Sequence, residues 1–115
     1  MINQDNRELL IAIIDNYGIK RQTEKLLEEM GELRIALKSK SISNKKQLRN
    51  FIDEAADVLI LIEQIVAHYN LETVLETMIE HKIHRTIFEM EFDNNAKNDY
   101  EDCDPSDKSI DTILL

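Results

Sequence analysis

Apolar residues recur along most of the chain at spacings of three and four rather than alternating, so the pattern predicts helices and no strands. The first helix is expected from about Asn3 to Tyr17, with Leu9, Leu10, Ile13 and Ile14 on its inner side. Gly18 is placed to leave it in a left-handed conformation, and Asp5 and Glu8 lie early, where the helix dipole favours negative charge. The second runs from about Lys20 to Ser39 and turns Leu26, Met30, Leu33 and Leu37 towards a core. Gly31 interrupts that stripe at a cost of about 1 kcal/mol relative to alanine, which close helix packing or a nearby ligand would explain.

The polar, basic segment Lys38 to Lys46 reads as a connection, with Asn44 and Gln47 spaced as a capping box and Ser43 an equally reasonable cap. The third helix then runs to about Tyr69. Its stretch AADVLILIEQIVA is apolar on more than one side, which suits a central position or a subunit interface. Asn70 is expected to cap a fourth helix that carries Leu71, Val74, Leu75, Met78, Ile79, Ile83, Ile87 and Met90 as far as Glu91. The fold class is therefore all-α: a four-helix body over residues 1–91 and an acidic tail over 92–115. The tail's Pro105, asparagines and acidic cluster favour a loop, while its final IDTILL could dock on the body or on another chain.

Composition narrows the function classes. Only three of the 115 residues are glycine or proline, and 43% are apolar, which excludes collagen-like and low-complexity chains. The net charge of -9 argues against nucleic acid polymers and anionic membranes as partners, and eight acidic against two basic residues from Glu91 onward put most of that excess in the tail. The start is too acidic and polar for a secretory signal, and the run VLILI is far short of the ~20 residues that cross a bilayer. A single cysteine, Cys103, offers no intrachain disulfide and no zinc site, so a cytoplasmic, reducing location is expected. The apolar wealth of helices three and four exceeds what a small body covers alone, and a homodimer is the first expectation.

The candidate chemistry is carboxylate. Glu29 and Glu32 are three apart on the second helix, and Glu54 and Asp57 repeat the spacing on the third, with Asp53 turned about 100° away. An antiparallel hairpin of the two helices would leave a slot bounded by four carboxylates, whose repulsion and desolvation Mg²⁺ would relieve through hard oxygen ligands. Gln22 and Lys25 follow the same face of helix two, and Lys82 and Arg85 share a face of helix four, where they would meet phosphate oxygens. The alternative for each acidic pair is a solvated face with weak ion pairs. Against that stands the position of Glu54 and Asp57 immediately before VLILI, since burying this helix draws part of the acidic face inward. His68, His81 and His84 read as core-edge or surface residues, and the Glu-x-x-His steps of a di-iron bundle are absent. Tyr17, Asn50 and Phe51 could border a ligand, but structural roles are expected for Tyr17, as the end of helix one, and for Phe51, in the core.

The stretches YGIKRQTEKLLEEMGELRIALKS and FIDEAADVLILIEQIVAHYNLETVLETMIEHKIHR resemble the MazG-type all-alpha nucleoside triphosphate pyrophosphohydrolases over most of residues 17–88. That family carries an ExxE and then an ExxD motif, which here fall on Glu29 with Glu32 and Glu54 with Asp57, with 21 residues between the two motifs. The resemblance implies a MazG-like bundle assembled as a dimer or tetramer. It also implies a divalent-metal site on Glu29, Glu32, Glu54 and Asp57, filled by Mg²⁺ or by Mn²⁺ in its place. The implied reaction is hydrolysis of an NTP or dNTP between the α and β phosphates, with Lys25, Lys82 and Arg85 on the phosphates and Gln22 orienting the ligand. Glu28 or one of the four acids would accept the water proton. The rival reading is a non-catalytic helical module that binds protein or nucleotide.

Overall fold

A computed structural model describes residues 4–38 and 44–96. Among them the chain is all-α, without a strand, in the order α1 (Gln4–Tyr17), α2 (Ile19–Lys38), α3 (Lys45–His68) and α4 (Glu72–Ala96). The expected helices are therefore present, three of them with ends within a residue or two, and α4 runs past Glu91. Ser43, Cys103, IDTILL and nearly all of the expected tail lie outside the described residues.

The punctuation between helices follows local chemistry. Gly18 adopts φ 89° and its N–H donates to the Ile14 carbonyl at 2.7 Å, while its own carbonyl accepts from Gln22 N at 3.1 Å. One residue thus closes α1 and opens α2, a reversal that a side chain would strain. Asn44 caps α3 in extended geometry, its Oδ1 accepting from the backbone N of Gln47 at 2.9 Å.

Asn70 does not cap α4; it ends α3. Its φ is 55°, its N–H donates to the Ala67 carbonyl, and the N–H of Leu71 donates to the Val66 carbonyl. These bonds are the Schellman arrangement, with asparagine in the left-handed position it tolerates best among residues with side chains. The Asn70 side chain serves another purpose: its Oδ1 accepts from Arg7 Nη2 at 2.7 Å, while Arg7 Nε donates to the Glu72 carboxylate. Arg7 so ties the turn after α3 to α1.

The packing divides the chain into two compact units, Met1–Glu72 and Thr73–Leu115. In the first, α3 packs against both α1 and α2, which also touch each other. The core consists of Leu10 and Ile14 from α1, Ala36 from α2, and Val58, Leu61 and Ala67 from α3. This bears out the central place expected for α3. Two stripes need correction. On α1 only Leu10 and Ile14 point inward, Ile14 at 1% exposure, whereas Leu9 is 63% exposed and Ile13 faces a pocket. On α2 Met30 and Leu37 are exposed, and Gln22 and Ala36 are buried in their stead. A Cβ added at Gly31 would meet nothing within 4 Å, so no close packing within this chain accounts for that glycine.

The second unit is represented among the described residues by the rest of α4. Val74, Ile83, Ile87, Phe88, Met90 and Phe92 of this helix are exposed. No described helix is long and apolar enough to cross a membrane.

Candidate metal centre and adjoining pocket

Two meetings of side chains mark the antiparallel register of α2 and α3. At one end Gln22 Nε2 donates to Gln64 Oε1 at 2.7 Å; at the other, Glu29 meets Glu54 and Asp57. One carboxylate oxygen from each of these three acids lies within 4.8 Å of the others. The i,i+3 spacing on α3 aims Glu54 and Asp57 the same way, and the hairpin carries Glu29 to them. Glu32 is exposed and stands outside this trio, yet it is near enough to act on two of its members.

The electrostatics are those of crowded anions. Desolvation, followed by a side-chain hydrogen bond with Glu32 and then the Glu32 and Asp57 charges, raises the pKa of Glu29, with Lys25 opposing. The same desolvation, then Glu32, Asp57 and Asp53, raises that of Glu54. Oε2 of each glutamate is shut off from solvent and has no hydrogen-bond partner. A buried carboxylate oxygen without a donor is costly unless a proton or a cation completes it. Hard divalent cations with oxygen ligands fit this donor set.

A pocket of about 410 Å³ opens from the carboxylates along the three helices of the first unit. Glu29 and Asp57 form its acidic end, Lys25 stands along its α2 side, and Gln22 and Gln64 close the far end. Ile60 and Leu61 of α3 and Ile13 and Tyr17 of α1 supply its apolar surfaces. The Arg21 guanidinium carbon lies 5.7 Å from the centre of the Tyr17 ring, a cation–π distance.

The expected site residues separate into three groups. Glu29, Glu54 and Asp57 converge, with Glu32 beside them. Gln22 and Lys25 line the adjoining pocket, although Gln22 is buried in a bond to Gln64. Lys82 and Arg85 belong to the second unit, where Lys82 borders an apolar groove with Ile79, Ile83, Thr86 and Ile87, and Arg85 Nε lies 3.5 Å from the Glu89 carboxylate. Tyr17 lines the pocket, beyond the purely structural role expected of it, whereas Asn50 and Phe51 do not. His68 packs edge-on against Tyr69, and His81 and His84 are exposed, as expected.

Arg21 and Gln64 were not anticipated. Gln64 had a signal: it follows Asp57 by the same two turns that separate Gln22 from Glu29, and mirrored spacings meet in an antiparallel pair. Arg21 is four positions from Tyr17, but the helix break at Gly18 between them hid that proximity. No family model, curated protein or solved structure matches the chain.

Proposed function

We propose that this protein is a MazG-like pyrophosphohydrolase that cleaves an NTP or dNTP between its α and β phosphates, giving the nucleoside monophosphate and pyrophosphate. The observation that carries the reading is the pair of unpartnered, solvent-shielded oxygens on Glu29 and Glu54, in a carboxylate trio of which Glu29 and Asp57 border a pocket. Glu29, Glu54 and Asp57 would hold Mg²⁺, or Mn²⁺ in its place, with Glu32 within reach. When bound, such an ion neutralises phosphate charge and lowers the pKa of water.

The chain's own groups do the rest. Lys25, on the pocket wall next to Glu29 in the helical repeat, places a positive charge where phosphate oxygens would lie. A carboxylate not taken up in coordination, Glu28 or one of the four acids, would take the proton from water. The water oxygen then bonds to the α phosphorus as the bond to the bridging oxygen breaks, and pyrophosphate leaves. Lys82 and Arg85 stand as further phosphate ligands by resemblance. The exposed apolar side chains of α2 and α4 support assembly as a homodimer or tetramer.

The test incubates full-length protein with a panel of NTPs and dNTPs, with and without Mg²⁺, and resolves the products. Monophosphate plus pyrophosphate, only with the metal, supports the reading. Diphosphate plus phosphate rejects α–β cleavage. No turnover across the panel favours the rival reading, a non-catalytic interaction or nucleotide-binding module, for which the exposed apolar face of α4 is the relevant observation.

A further inference from the structure

The far end of the pocket has a chemistry that the carboxylate site does not use. Gln22 and Gln64 are 3% and 2% exposed, yet both line the cavity. Burying two primary amides is costly unless their polar atoms are satisfied. Their mutual bond, Gln22 Nε2 to Gln64 Oε1, uses one donor and one acceptor. That bond does not use Gln22 Oε1 or Gln64 Nε2, one acceptor and one donor. If both amides rotate by half a turn the mutual bond re-forms in reverse, and the pair offers the same two functions in the opposite order.

Seven residues of helix separate this pair from Glu29 on α2 and from Asp57 on α3, roughly 10 Å along each axis. A nucleotide whose phosphates sit at the acidic end spans a distance of that order to the edge of its base. The intervening walls suit a flat ring: Tyr17, half exposed and flanked by Arg21, is an aromatic surface on which a base can stack, and Ile60 is apolar.

We infer that this end of the pocket is a nucleobase subsite in which the Gln22–Gln64 amide pair reads the base edge and accepts 4-keto and 4-amino pyrimidines alike. The inference rests on the triphosphate reading of the acidic end and adds the substrate class. Uracil and thymine present a keto oxygen and an N3–H donor; cytosine presents an amino donor and an N3 acceptor in the reverse order. One amide order complements the first and the flipped order the second, each at the cost of the same single inter-amide bond. Inorganic tripolyphosphate has no group for this end.

The experiment uses full-length protein with Mg²⁺ and compares dUTP, dCTP and inorganic tripolyphosphate in wild type, Gln64→Leu and the Gln22→Leu/Gln64→Leu double variant. Removing both amides together leaves no buried orphan, so the double variant keeps its helical content and separates binding from folding. Expected are kcat/KM values for dUTP and dCTP within about threefold of each other, and a rise of about tenfold or more in KM for both nucleotides in the variants. In Gln64→Leu, tripolyphosphate turnover and Mn²⁺ binding at the carboxylates should not change. A preference above about a hundredfold for one pyrimidine, or an unchanged nucleotide KM in the double variant, overturns the inference while leaving the hydrolase reading intact. If wild type turns over no triphosphate, the hydrolase reading fails, and ligand-observed NMR with deoxyuridine and deoxycytidine decides the subsite alone. Binding of both nucleosides that is lost in the double variant upholds it, and no binding overturns it.

Discussion

Glu54→Gln should change the stability of the protein in opposite directions with and without a divalent metal. The wild-type carboxylate has one oxygen closed off from water without a donor and lies with Glu29 and Asp57 inside a 4.8 Å cluster. Its raised pKa means that the folded state binds the proton more tightly than the unfolded chain. Stability from that proton is fully present below the unfolded value of about 4.5 and is lost as pH rises through the higher folded value. At neutral pH the metal-free wild type therefore carries the whole penalty. Glutamine removes the charge and can donate its amide to a neighbouring carboxylate that now has only acceptors around it, so the metal-free variant should melt higher at pH 7.5. In acid, where Glu54 is protonated, the two proteins should converge. Metal reverses the order where the metal-free gain of the variant is below about 1.3 kcal/mol, the difference between the two metal effects. At a hundred times its dissociation constant an ion stabilises the wild type by about 2.7 kcal/mol, or about 10 °C for a domain of this size. If losing one of three converging ligands weakens binding tenfold, the same concentration stabilises the variant by only about 1.4 kcal/mol, roughly half the shift. Thermal melts followed by circular dichroism at pH 7.5 and pH 4, with and without Mn²⁺, measure all four states. A variant that melts with the wild type at neutral pH without metal and shows the same metal response would refute the idea of a strained, cation-ready cluster.

Three further outcomes follow from the packing. Ile14→Ala, at the most buried side chain of α1, should lower the unfolding free energy by about 2–5 kcal/mol in urea titrations, whereas Leu9→Ala should stay within about 0.5 kcal/mol; equal losses would contradict the inward face assigned to α1. Gly31→Ala should raise stability by about 0.5–1 kcal/mol, because its methyl enters open space on a helix, and a fall would place another chain against that site in the assembly. The hydrogen bond from Arg7 lowers the Glu72 pKa, so its contribution is present above the unfolded value and lost as pH falls through the folded one. Urea midpoints from pH 7 to pH 3 should accordingly drop less steeply in Glu72→Gln than in wild type, and parallel curves would remove Arg7 from the account of that turn.

What could be read from the chain alone was whatever depends on spacing within one helix. The period of the apolar residues placed all four helices, and the i,i+3 steps put Glu29 with Glu32 and Glu54 with Asp57 on shared faces. Which members of those pairs converge is a property of how α2 crosses α3, and there the trio is Glu29, Glu54 and Asp57, with Glu32 to one side. The same limit explains the apolar errors. Leu9 and Leu10 are equally apolar, and only the docking of α1 on α3 selects the line through Leu10 and Ile14. Asn70 shows the limit at a single residue: asparagine is favoured both as an N-cap and in the left-handed position that ends a helix, and the Leu71-to-Val66 bond together with Arg7 selects the second. Gln22 and Gln64 lie 42 positions apart and have no local reason to be associated, yet in the register that places Glu29 beside Asp57 their equal distances from those two residues bring the two amides together. Polar residues at mirrored offsets from a metal motif are thus worth reading as a pair, because the register that gathers the carboxylates also decides which side chains share the pocket beside them.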